Sequence, residues 1–158
     1  MFRIKLLILL LLSIIQINCT SKINNDDFLI GYISGSYEGL LFKNTLEANL
    51  RGLNSYNQNS SLIIEGSISH NDEIYITNID NTSQRERVSS NINMQIYNKE
   101  LKCNVYTYVN NVSQFYIYSS GTYFLSNKKA REDIIKENTN ILSVKFVNSI
   151  PGNLDTCE

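Results

Sequence analysis

The order of periodicities in this chain predicts an α+β fold, with two amphipathic helices packed on one face of a roughly four-stranded, mostly antiparallel sheet. Three observations carry that prediction. Helical spacing in Gly39 to Leu53 follows a short apolar run. A second helical pattern, Asn127 to Ile150, lies near the C-terminus. Between them run long stretches of alternating polar and apolar residues broken by turn signals. Strand, helix, three strands, helix is an order that lets both helices cover one sheet face.

Each element has its own reason. Phe28 to Ile33 (FLIGYI) is short and rich in β-formers, and Ser34-Gly35-Ser36 breaks it. In the first helix Phe42, Leu46, Leu50 and Leu53 form one stripe, while Lys43, Glu47 and Arg51 are spaced i,i+4 on another face. Gly52 and Asn54 end it. Leu62 to Ser69 and Ile74 to Ile79 read as one long strand bulged at the polar His70-Asn71-Asp72-Glu73, with a tight hairpin as the alternative. Asp80 to Ser83 is a turn signal.

Val88, Ser90, Ile92, Met94 and Ile96 then alternate with Ser89, Asn91, Asn93 and Gln95, the cleanest period-2 stretch in the chain. Asn98-Lys99-Glu100 turns the chain into Leu101 to Val109, where Cys103, Val105, Thr107 and Val109 share one face and Tyr106 and Tyr108 the other. Phe115 to Phe124 continues the pattern. Ser126 is placed to cap the last helix, whose stripe runs Ile134/Ile135, Asn138, Ile141/Leu142, Lys145/Phe146 and Ser149/Ile150. Glu132 and Lys136 are spaced as an ion pair, and Pro151-Gly152 stops the helix. The uncovered sheet face is expected to carry Tyr and Asn residues.

The N-terminus fixes the compartment. Arg3 and Lys5 precede an apolar run, Leu6 to Ile15, too short to span a hydrocarbon core but suited to the h-region of an export signal. This predicts a signal peptide over residues 1–18. Cys19 falls at the end of the run, where a lipoprotein signal has the cysteine that is lipidated, and residues 19–27 are polar enough to serve as a tether. Gln16, Ile17 and Asn18 depart from the usual small-residue box, and cleavage by an ordinary signal peptidase is the rival reading. The packed domain is expected over 28–150, with a tail over 151–158.

Composition narrows the function classes. The chain of 158 residues has 14 basic and 15 acidic side chains, and loss of Arg3 and Lys5 makes the remainder more acidic, which argues against a nucleic-acid partner. His70 is the only histidine, so a Ser–His–Asp, Cys–His or zinc site has almost nothing to draw on. Within the polar SHNDE segment it reads as a solvated loop residue. Asp72 and Glu73 are adjacent and would point to opposite faces of a strand, so they form no acid–base pair. No glycine-rich phosphate loop is present. The inventory points away from an enzyme, a metal site or a bound cofactor. Cys103 and Cys157 are left with three fates: pairing with each other, pairing with another chain, or remaining free.

Three stretches carry a family likeness. The first is Leu41-Phe42-Lys43-Asn44 running to Leu50. The second is Arg85 and Arg87 leading into Val88 to Tyr97-Asn98-Lys99. The third is Ser119 to Asp133, a strand end passing into Lys-Lys-Ala-Arg-Glu-Asp. With the leader, these stretches resemble the LPS-assembly lipoprotein family, LptE, over about Phe28 to Ile150; the family's Gly-Phe-x-Pro-Leu stretch after the cysteine is missing. The resemblance implies a lipoprotein at the periplasmic face of the outer membrane, anchored through lipid on Cys19. It further implies a role as plug and assembly partner of the LptD β-barrel, helping deliver lipopolysaccharide to the outer leaflet. Arg85, Arg87, Lys99 and Lys102 are the positions it suggests for lipopolysaccharide, the arginines because a guanidinium fork matches phosphate. The competing expectation is an unrelated periplasmic or outer-membrane lipoprotein acting as a binding module.

Overall fold

The computed structural model describes residues 26–76, 84–118 and 124–157. The signal peptide, Cys19, most of the tether, the 80–83 turn and residues 119–123 lie outside the described residues. Six elements follow in order: β1 (Phe28–Ser34), α1 (Ser36–Gly52), β2 (Leu62–Ile76), β3 (Gln84–Asn98), β4 (Cys103–Tyr118) and α2 (Phe124–Ser149). The strands form one sheet in sequence order, β1 parallel to β2 and the other pairs antiparallel. This is the α+β arrangement that the periodicities predict, with both helices on one face.

The core lies between helices and sheet. Phe42, Leu46 and Leu50 of α1 and Leu142 and Phe146 of α2 are fully buried against Ile64, Ile92, Met94 and Ile96. Burying each such side chain contributes roughly 1.5–3 kcal/mol, so this layer is the main stabilising term. The α1 helix begins a turn before the expected Gly39. Gly35 takes φ 130°, open only to glycine at low cost, and its carbonyl accepts from the Gly39 amide at 3.0 Å. Gly39 is needed for a different reason: a Cβ there would lie 2.7 Å from the Ile33 carbonyl oxygen. The helix stops where Asn54 turns left-handed (φ 56°) and the Ser55 amide reaches back 2.9 Å to the Leu50 carbonyl.

Four expectations are corrected. β2 carries no bulge at His70 to Glu73; it pairs with β3 in unbroken register from Leu62↔Asn98 to Ile76↔Gln84. The polar residues tolerate this because three of them find partners, His70 with Ser90, Asp72 with Arg131 and Glu73 with Arg87, while Asn71 is exposed. α2 starts at Phe124, which puts Ser126 inside its first turn instead of at the cap. Its ion pairs are Lys129–Asp133 at 2.7 Å and Lys128–Glu132 at 3.9 Å, so Glu132 looks back one turn and not forward to Lys136.

The fourth correction concerns the faces of β4. A register irregularity pairs Ile96 with Tyr106 but Tyr97 with Asn104, leaving Val105 as an extra residue. Beyond it Tyr106 and Tyr108 face the helices, and Thr107 and Val109 face outward. Tyr106 donates its hydroxyl to the Ser149 carbonyl at 2.9 Å, and the Tyr108 ring centroid lies 5.7 Å from that of Phe146. The tyrosines therefore roof the core instead of lining the open face.

The tail belongs to the packed body. Leu154 is buried with the core, and Cys157 forms a disulfide with Cys103, closing a sequence separation of 54 residues.

Candidate functional site

Two regions gather the candidate side chains: the uncovered sheet face, and a polar cluster under α2. On the uncovered face β3 presents Arg85, Arg87, Ser89, Asn91, Asn93, Gln95 and Tyr97. Its β4 neighbours Thr107, Val109, Asn111, Ser113, Phe115 and Ile117 are exposed. Over β3 and β4 the middle is uncharged and polar, tied by Ser89 to Ser113 at 2.9 Å and by the Asn104 amide donating 3.0 Å to Gln95, with Glu65 of β2 opposite Gln95 on the same face. The β4 rim is apolar: Val109 is 70% exposed, Phe115 54% and Ile117 73%.

At one end of this face the two arginines lie beside that rim, Arg85 opposite Ile117 and Arg87 opposite Phe115. Arg87 is ion-paired with Glu73 on the neighbouring strand, while Arg85 is exposed. Cations beside exposed apolar side chains can meet an amphiphile, with phosphate on the guanidinium and acyl carbons on the rim. Lys99 and Lys102 are at the opposite end of β3, about 45 Å from Arg85 at ~3.3 Å per residue. Lys99 donates to the Ser60 carbonyl at 3.3 Å, and Lys102 occupies a left-handed position (φ 58°) in the β3–β4 turn. The four basic positions thus form two separate ends and no single site.

The cluster under α2 has little sequence signal beyond Asn138 standing in an apolar stripe. Asn138 donates 3.0 Å to the Ser90 hydroxyl and 3.3 Å to the Val88 carbonyl, and Ser90 lies 2.7 Å from His70 Nδ1. His70 is therefore a half-buried strand residue, not a loop residue. Burial lowers its pKa from the usual value and Arg131 lowers it further, against the opposing pull of Glu38 and Asp72. Beside it the Tyr116 hydroxyl donates 2.6 Å to buried Glu86, and burial together with that carboxylate raises the phenol pKa. These groups are held by one another and by α2, an arrangement that locks helix to sheet. Among the described residues no three His, Cys, Asp or Glu side chains are grouped to hold a metal ion, and no helix is long and apolar enough to cross a membrane.

A sheet covered on one face by two helices in this order is also found in solved structures of bacterial lipoproteins. Rare lipoprotein B (RlpB, that is, LptE) of Shewanella oneidensis superposes with a TM-score of 0.63 at 10% identity, over 78% of this chain and 92% of that one. A minor lipoprotein of Acinetobacter baumannii gives 0.59 at 10% identity, over 79% and 90%. Lipoprotein B of Nitrosomonas europaea gives 0.58 at 11% identity, over 83% and 87%. The shared property is the fold. No protein-family model matches the sequence, and no curated protein does.

Proposed function

We propose that this chain is an outer-membrane lipoprotein, lipid-anchored through Cys19 at the periplasmic face, that plugs and assists assembly of an LptD-like β-barrel. In that setting it helps deliver lipopolysaccharide to the outer leaflet and carries out no chemistry of its own. The observation that carries the reading is the match to rare lipoprotein B over 92% of that chain, helices and sheet together.

The open face supports it physically. Outer-membrane barrels with a polar lumen ask of a plug a surface that is polar and uncharged, able to hydrogen-bond without burying unpaired charge. Ser89, Asn91, Asn93, Gln95, Asn111 and Ser113 supply that surface. Arg85, with Arg87 behind it, is placed for a lipid phosphate while Phe115 and Ile117 meet the acyl carbons.

Affinity recovery of the chain from outer-membrane extracts tests the reading: a large β-barrel protein is expected to come with it. Recovery from the soluble periplasm with no barrel partner would favour a stand-alone binding module. Arg85→Ala with Arg87→Ala should weaken lipopolysaccharide binding by about ten-fold, and the loss should shrink as salt rises.

A further inference from the structure

We infer that the β4 edge is an interface with a second copy of this chain, the two β4 strands pairing antiparallel about Val112 to make one continuous sheet. β4 is 16 residues long, CNVYTYVNNVSQFYIY, and contains no Lys, Arg, Asp, Glu or Pro. Long edge strands of folded proteins are normally blunted by charges, prolines or bulges, because an open row of N–H and C=O groups recruits another strand. Here the one irregularity is at Val105, near the start of the strand. The opposite edge contrasts with it: β1 has 7 residues, and the 55–57 segment covers its start through Phe28 to Ser55 and Asn57 to Phe28 hydrogen bonds.

The occupant follows from the register. Pairing about Val112 spans residues 106–118 of both copies, which makes it the longest symmetric register that avoids the Val105 irregularity. It sets Val109 opposite the second copy's Phe115, Thr107 opposite Ile117, and Asn111 opposite Ser113. The Val109–Phe115 pair is apolar and the Asn111–Ser113 pair polar, the Thr107 methyl lies against Ile117, and no charge is buried. The helix layer fits as well. Two strands at ~4.8 Å spacing match the ~10 Å width of one helix, the spacing that a helix layer continued across the contact requires. A two-fold axis closes this contact, so it stops at a dimer. The inference does not rest on the barrel reading, although both draw on Phe115 and Ile117.

Sedimentation of the exported chain over a dilution series, in detergent, tests it. A concentration-dependent dimer is expected, and Val109→Lys or Phe115→Glu alone should weaken it at least about ten-fold, with the thermal melt of the monomer at high dilution unchanged. The double variant should restore the dimer, because the introduced lysine of each copy then faces the introduced glutamate of the other. A monomer at every concentration would overturn the inference, and so would a dimer indifferent to both single variants. Hydrogen-exchange protection of β4 that arises only on adding a barrel protein would also overturn it, since the edge would then belong to a foreign strand.

Discussion

Asn138 in the middle of α2 donates its side-chain amide 3.0 Å to the Ser90 hydroxyl in the middle of β3. Both residues are fully buried, and the chain of polar groups runs on to His70 of β2, so one helix and two strands are registered by side-chain hydrogen bonds as well as by apolar contact. Truncating Asn138 removes the amide's hydrogen bonds to the Ser90 hydroxyl and the Val88 carbonyl and leaves a small cavity between helix and sheet, with Ser90 keeping only His70 as a side-chain partner. Asn138→Ala should cost about 1–3 kcal/mol, read as a lower denaturant midpoint.

His70 makes that cluster pH-sensitive. Its pKa is lowered in the folded protein, so between that value and the unfolded ~6.5 the unfolded chain binds more protons. The stabilisation is fully present above pH 6.5 and is lost as pH falls toward the folded value. Arg131 facing His70 works with burial, while Glu38 and Asp72 narrow the window. Melting temperatures measured across this range should fall on acidification, and His70→Gln should flatten that part of the profile.

Tyr116 gives the opposite sign. Its pKa is raised, so its contribution is complete below the unfolded value near 10 and is lost as pH rises above it. Tyr116→Phe should remove this alkaline sensitivity. It should also cost about 1–3 kcal/mol at neutral pH, because Glu86 loses a donor while 9% exposed.

The Cys103–Cys157 disulfide closes a long loop that contains all of α2. Chain-entropy arguments put its contribution at about 4 kcal/mol. Cys157→Ser, or a reductant, should lower the melting temperature and expose the tail around Leu154 to proteolysis.

The fold was legible because its signals are local. The α1 stripe is spaced by fours and threes, and β3 alternates cleanly, so element type and order follow from the spacing of Phe42, Leu46 and Leu50 and of Val88 to Ile96. What escaped was non-local. An extra residue at Val105 inverts the faces of β4, and nothing in the local pattern marks it. His70 to Glu73 resemble a loop because their partners, Ser90, Arg131 and Arg87, are 14 to 59 residues away in sequence. For the basic positions, sequence could name Arg85, Arg87, Lys99 and Lys102 but not the strand length that separates them. The pairing of Cys103 with Cys157 was one of three open fates, and the fold decides among them by bringing the tail back to the β3–β4 end.

The central claim is that the open sheet face works by lying against the inside of a larger barrel. Photo-crosslinking from Asn93 and Ser113 on that face, in cells, tests it most directly. The account predicts that both positions form adducts with a large outer-membrane β-barrel protein, while Lys136 on the exposed side of α2 serves as a comparison. Adducts to no barrel protein at all, with the chain recovered intact from the membrane, would contradict it.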